Sequence, residues 1–164
     1  MGVKQRHQEA DYLNVTPGKT TEKYVLMGTG FTKIDDSPSA QTTSKRYVNN
    51  KSATKSIGSY DWSAPLEMDM IEDEEAVAFV VEIGRREKTG ADAETDYVRV
   101  DLSGTKSDNG YPARKRKVAI EVSEFTDNDG EIVGSGNLLG KGDWEFGSFD
   151  PTTGVFTPET AVGE

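Results

Sequence analysis

"SYDWSAPLEMDM", residues 59–70, alternates between apolar and polar side chains almost without a slip. Tyr60, Trp62, Ala64, Leu66, Met68 and Met70 fall on one parity, and Ser59, Asp61, Ser63, Pro65, Glu67 and Asp69 on the other. A β-strand repeats every two residues, so the stretch predicts a strand with one face in a core and a carboxylate-bearing face turned away from it.

Immediately downstream the period changes. In "IEDEEAVAFVVEIGRR", residues 71–86, Ala76, Val77, Val80, Val81 and Ile83 recur at helical spacing. Acids crowd the first turn, where the helix dipole favours them, and Gly84 followed by Arg85 and Arg86 supplies a stop. One helix is predicted over residues 72–84. The rest reads as strands. "KYVLMGTGFTKI" (23–34) predicts a strand pair broken at its glycines, and "TDYVRVDL" (95–102) alternates around Val98, Val100 and Leu102. "RKVAIEVSEF" (116–125) follows a turn at "SDNGYP" and leads through "DNDG" into "EIVGSGNLL". "DWEFGSFD" (143–150) and "GVFTP" (154–158) close the chain around "DPTTG". About eight short strands and one helix predict a mainly β fold, a β-sandwich or barrel with a flanking α-helix.

Polar stretches mark the boundaries. Residues 1–22 lack periodicity and are broken by Pro17 and Gly18, which predicts a flexible N-terminal arm ahead of a single domain over residues 23–158, with 159–164 as a C-terminal tail. Residues 35–59 are polar but carry strand-like segments on either side of Asn49 and Asn50, which suit a tight turn. A polar excursion of this length predicts a projecting hairpin or loop that meets another molecule.

The charge pattern narrows the function. Nineteen basic against 29 acidic residues give a net charge of −10, which disfavours phosphate-backbone binding. No Lys or Arg lies between Lys55 and Arg85, whereas Asp61, Glu67, Asp69, Glu72, Asp73, Glu74, Glu75 and Glu82 do; the basic counterpart is "RKRK", Arg114, Lys115, Arg116 and Lys117. Opposite patches on one subunit suit head-to-tail association. The longest apolar run, Ala76–Val81, is too short to span a bilayer, and a soluble protein without membrane contact is expected.

Enzyme chemistry finds little to work with, and no enzyme, metal or cofactor is expected. Cysteine is absent, and His7, the only histidine, sits in the expected arm, which removes thiol, Ser-His-Asp and most histidine-metal chemistry. In "DNDGE" (127–131), setting Gly130 at the invariant glycine of a calcium loop puts Phe125 at the first ligand position, so a hairpin turn is expected instead. "GSGNLLG" (134–140) lacks the spacing of a dinucleotide fingerprint. Trp62 and Trp144 are expected in the core; their exposure as stacking platforms would instead make a monomeric carbohydrate-binding β-sandwich.

In residues 46–102 ("RYVNNKSATKSIGSYDWSAPLEMDMIEDEEAVAFVVEIGRREKTGADAETDYVRVDL") and 113–143 ("ARKRKVAIEVSEFTDNDGEIVGSGNLLGKGD"), and over about residues 24–157 in all, the chain resembles the major tail, or tail tube, proteins of long-tailed, non-contractile phages and prophages of Gram-positive bacteria. The resemblance implies a virion structural protein, assembled in the host cytoplasm. Six copies would form a ring whose inner sheets make a continuous β-barrel. Rings stack into a hollow tube around a tape-measure protein, bounded by tail terminator and baseplate proteins, and DNA later passes through. Related tube subunits of contractile and type VI secretion systems share the fold, so they remain an alternative. On this resemblance Asp61, Ser63, Glu67 and Asp69 are expected to face the lumen as a negative wall that repels phosphates. Arg114–Lys117 are expected to meet Glu72–Glu75 of a neighbour, and Arg46, Tyr47, Asn49, Asn50 and Lys51 to reach the adjacent ring.

Overall fold

The computed structural model describes residues 2–159. Ten strands and one helix follow the order β1 (Glu9–Asn14), β2 (Tyr24–Leu26), β3 (Phe31–Ile34), β4 (Ala40–Lys45), β5 (Thr54–Tyr60), β6 (Ser63–Asp69), α1 (Glu75–Arg85), β7 (Glu94–Asp101), β8 (Tyr111–Asn128), β9 (Glu131–Asp150) and β10 (Val155–Pro158). One antiparallel sheet runs β2-β1-β7-β8-β9-β6-β3, with β10 added along β9. It curls into a half-barrel, and α1 packs across its inside. β4 and β5 form a separate two-stranded sheet. The fold is therefore mainly β with one flanking helix.

The alternation of residues 59–70 holds over the part that pairs. Trp62, Ala64, Leu66 and Met68 are buried with Val77, Val80 and Val81 of α1 and with Tyr97, Val118, Ile120 and Leu138 of the sheet. Tyr60 departs from the expectation: the chain turns at Asp61 and Trp62, so Tyr60 ends β5 and is exposed. β6 lies between β3 and β9, and that register sets which side chains share its faces.

The helix begins three residues later than predicted, because Ile71–Glu74 form a turn closed by the Glu74 N–H on the Ile71 carbonyl at 3.1 Å. Gly84 is not the stop. It lies inside the helix, where an added Cβ would sit 2.8 Å from Val122 Cβ on β8. The stop comes beyond, where Glu87 takes φ 50°, its N–H donates to Gly84 and the Lys88 N–H donates to Ile83 at 3.0 Å, a Schellman closure. Gly84→Ala is expected to lose about 1 kcal/mol despite the better helix propensity of alanine, because overpacking costs about 1–3 kcal/mol and propensity returns at most about 1. Denaturant unfolding measures this, and adding Val122→Ala should relieve it.

The reading of residues 1–22 as a flexible arm fails for Glu9–Asn14. This segment is β1, paired on both sides with β2 and β7, with Asp11, Leu13 and Asn14 buried. Burial of two polar residues masks the strand's apolar pattern. Asn14 Oδ1 accepts from the Thr16 and Lys23 N–H groups at 2.9 and 3.4 Å, so it organises the turn around Pro17 and Gly18 that returns the chain to β2. The expected strand pair in residues 23–34 is also corrected: β2 and β3 occupy opposite edges of the sheet.

Candidate assembly surfaces

Three surfaces carry the residues singled out above. The first is the outer face of β6, β9 and β8. Ser63, Glu67 and Asp69 share it, since they alternate with the buried Ala64, Leu66 and Met68. Registers extend it sideways: Glu67 opposes Ser135 on β9, which opposes Glu124 on β8, and Pro65 opposes Asn137, which opposes Glu121. Asn137 Nδ2 donates to Glu121 Oε1 at 3.0 Å. The bulge between Val122 and Glu124 keeps both Glu121 and Glu124 outward while Val122 and Phe125 pack inward. Asp61 does not join this face; it is exposed in the link between β5 and β6.

The second surface is the basic run on β8, which the strand period divides. Arg114 and Arg116 turn inward: the Arg114 guanidinium lies 4.2 Å over the Trp144 ring, and that of Arg116 lies 5.5 Å from both Trp62 and Trp144. Arg114 Nη2 also pairs with Asp36 Oδ2 at 2.5 Å. Lys115 and Lys117 take the opposite face, Lys115 over Phe156 at 5.7 Å and Lys117 exposed. Of the expected acidic partners, Glu72 and Asp73 are exposed, Glu74 stands at the N-cap position of α1 without a side-chain capping bond, and Glu75 pairs with Lys23 at 2.7 Å. Only half of the run therefore points toward solvent in a form that could meet a neighbour.

Sequence reasoning missed Asp36, which anchors this cluster. The Trp62 indole N–H donates to Asp36 Oδ1 at 2.5 Å. Burial pushes the Asp36 carboxyl up, but the Trp62 hydrogen bond and the Arg114 guanidinium outweigh it and hold it below its ordinary 3.8. A group depressed on folding contributes stability that is present above its unfolded value and lost as pH falls through the folded one. Asp36→Asn is therefore expected to be less stable than wild type at neutral pH, with the gap closing as pH falls below 3.8. Denaturant midpoints compared across that range read it directly.

Trp62 is buried, stacks on Tyr97 at 5.7 Å and meets Trp144 edge-on at 4.9 Å. A cavity of about 520 Å³ opens beside this cluster, lined by Ser59, Tyr60, Trp62, Arg116 and Trp144.

The third surface is the hairpin of β4 and β5. Every residue of both strands and of the intervening loop is exposed, including Arg46, Tyr47, Asn49, Asn50 and Lys51. Its loop spans residues 46–53, wider than the two-residue Asn-Asn turn expected. Thr43 Oγ1 and Ser56 Oγ bond across the pair at 3.0 Å.

Among the described residues no group of three or more His, Cys, Asp or Glu side chains is placed to hold a metal ion, and no helix is long and apolar enough to cross a membrane.

The fold is similar to that of chains in two solved particle structures. One neighbour is a chain from the tail of an empty GTA particle, refined helically with C6 symmetry: TM-score 0.59 at 12% identity, over 89% of this chain and 100% of that one. Another belongs to the six-fold symmetrised baseplate of the anti-feeding prophage (AFP): TM-score 0.53 at 11% identity, over 90% of this chain and 97% of the other. Neither a known protein family nor a curated protein matches the sequence.

Proposed function

We propose that this chain is a non-catalytic structural subunit of a phage-type tail, whose copies close into six-membered rings that stack into a hollow tube. The observation that supports it most is the fold likeness, along nearly the whole of both chains, to subunits of two particles with six-fold symmetry. Among the described residues the outer edges of β2 and β3 are unpaired, which suits lateral growth of the sheet from one copy to the next. The finer assignment, to a non-contractile tail tube of a Gram-positive phage, rests on the sequence resemblance. Its partners would then be further copies of itself, a tape-measure protein, a tail terminator and baseplate proteins, within a virion.

On this reading the face bearing Ser63, Glu67, Asp69, Glu121 and Glu124 lines the bore. Its carboxylates repel phosphates, and salt limits their reach to about 8–10 Å, so DNA slides without a binding well. Negative-stain microscopy of the purified protein over a concentration series tests the assembly. Rings or hollow tubes are the expected result. A persistent monomer whose tryptophans are quenched by solvent and protected by glycans would overturn it in favour of the carbohydrate-binding alternative. The baseplate likeness favours a second reading, a ring subunit at the end of a tube, which would form single rings that do not stack.

A further inference from the structure

Residues 37–60 contain Lys45, Arg46, Lys51 and Lys55 and not one Asp or Glu, in a chain of net charge −10. All four cations are exposed, and none forms an ion pair within the described residues. They surround two exposed apolar side chains at the loop, Tyr47 and Val48, with Ile57 exposed on β5. A two-stranded sheet with no buried residue has no core of its own, so both of its faces lack a partner among the described residues.

The complementary surface lies at the far end of the same subunit. β6 starts at the root of the hairpin, where Ser63 bridges Ser37, and ends at Asp69, about 20 Å away for a strand of this length. At that far end Asp69 opposes Val133, and the Met70 N–H donates to the Ile132 carbonyl at 3.4 Å, which sets the turn between β8 and β9 against the start of the helix turn. The exposed residues here are Glu72, Asp73, Asp127, Asp129 and Glu131 around the exposed Ile71 and Ile132. Arg85 stacks over Phe125 at 4.3 Å beside them, leaving the turn itself acidic. A hairpin with a basic rim around apolar side chains thus roots at one end of β6, and a turn with an acidic rim around apolar side chains lies at the other.

We infer that the β4–β5 hairpin of one copy docks on the β8–β9 turn of a second copy, with Lys45, Arg46, Lys51 and Lys55 against Asp127, Asp129 and Glu131, and Tyr47 and Val48 against Ile71 and Ile132. The contact joins two different patches at opposite ends of β6, and in its head-to-tail form, with a rotation that does not close on itself, it propagates from copy to copy along a stack. It deepens the self-assembly reading above and rests on it for the context of a stacked tube. It also assigns the acidic end a different partner from the "RKRK" run, half of which is occupied by tryptophan and Asp36.

Two charge-reversed proteins test this, one with Lys45, Arg46, Lys51 and Lys55 changed to Glu and one with Asp127, Asp129 and Glu131 changed to Lys. Each alone should lose self-association by about tenfold or more at low salt, and an equimolar mixture should regain it, since each variant then finds an opposite charge on the other. Carbodiimide cross-linking of mixed light and ¹⁵N-labelled wild type gives an independent readout: amides should join Lys45, Lys51 or Lys55 of one copy to Asp127, Asp129 or Glu131 of another. Tubes from wild type without these cross-links, or variants that assemble unchanged, would overturn the docking and leave the tube reading standing. Intermolecular cross-links at these sites in a protein that forms neither rings nor tubes would uphold the docking and overturn the tube.

Discussion

Replacing Asp11 with alanine is expected to lower the unfolding free energy by about 3 kcal/mol, because it removes the buried one of the two carboxylates that compensate a buried cation. Asp11 is buried in the middle of β1, and its carboxylate collects three partners, Arg6 from just before the strand and Tyr97 and Arg99 from β7. The Tyr97 hydroxyl donates to Oδ1, Arg99 Nη1 lies 3.4 Å from the same oxygen, and Arg6 pairs with Oδ2. Arg99 in turn reaches Glu9 Oε1 at 3.3 Å. Burial pushes the Arg99 guanidinium toward its neutral form, but Tyr97, Asp11 and Glu9 reverse that and hold it charged. The same burial, with Asp11 alongside, pushes the Tyr97 hydroxyl up and keeps it a donor. Removing only the Asp11 carboxylate therefore leaves the buried Arg99 with the partly exposed Glu9 as its remaining acidic partner. The double replacement Asp11→Leu with Arg99→Met is expected to recover a large part of the loss, since a well-packed apolar pair avoids the desolvation that the ion pair must offset. Urea unfolding of both variants beside wild type reads the coupling; equal losses in the single and double variants would show that the network contributes shape rather than charge.

Arg6 gives this network a second consequence. Its Nη1 donates to the Glu9 carbonyl at 2.8 Å and its Nη2 reaches the Ile34 carbonyl at 3.3 Å, so one guanidinium ties β1 to β3 across the open side of the half-barrel. The segment read from sequence as an arm thus clasps the two ends of the curl.

Deleting residues 41–59 and joining Ala40 to Tyr60 through Asn-Gly is expected to abolish higher-order assembly while leaving the domain folded. Ala40 and Tyr60 are already paired across the hairpin root, so a two-residue turn spans them, and Asp61 keeps its N–H on the Ser39 carbonyl at 3.0 Å. Every removed residue is exposed, and the expected change in unfolding free energy is less than about 1 kcal/mol. Sedimentation velocity beside thermal melts separates the outcomes. Normal tubes from the deletion would remove the hairpin from assembly altogether, and a collapse in melting temperature would show that it supports the core.

How much was legible depends on whether a residue's burial follows its local pattern. Trp62, Ala64, Leu66 and Met68 are apolar at period two, and Ala76, Val77, Val80, Val81 and Ile83 at helical period, so both elements and their buried faces could be read directly. The acidic face of β6 followed from the same parity. The hairpin's freedom from acids was equally open to inspection, and is the signal that separates it from the rest of this acidic chain. β1 was not legible, because Asp11 and Asn14 look like solvent-facing residues until their partners are known. Thr95, which donates to the Asn14 carbonyl at 2.5 Å, Tyr97 and Arg99 lie more than eighty positions further on.

The sequence by itself determined the mainly β class, the single helix, the inward parity of β6 and the polar hairpin, since each rests on periodicity or composition within one stretch of chain. The tertiary structure alone decided that Glu9–Asn14 lies inside the sheet, that β2 and β3 part to opposite edges, and that Arg114 and Arg116 are taken up by tryptophan and Asp36. It also placed the basic hairpin and the acidic turn at opposite ends of β6. The physical reason is common to all of these. A buried polar group is stable only beside partners that the fold brings from far along the chain, and strand order depends on which faces and edges find cover, neither of which local alternation records.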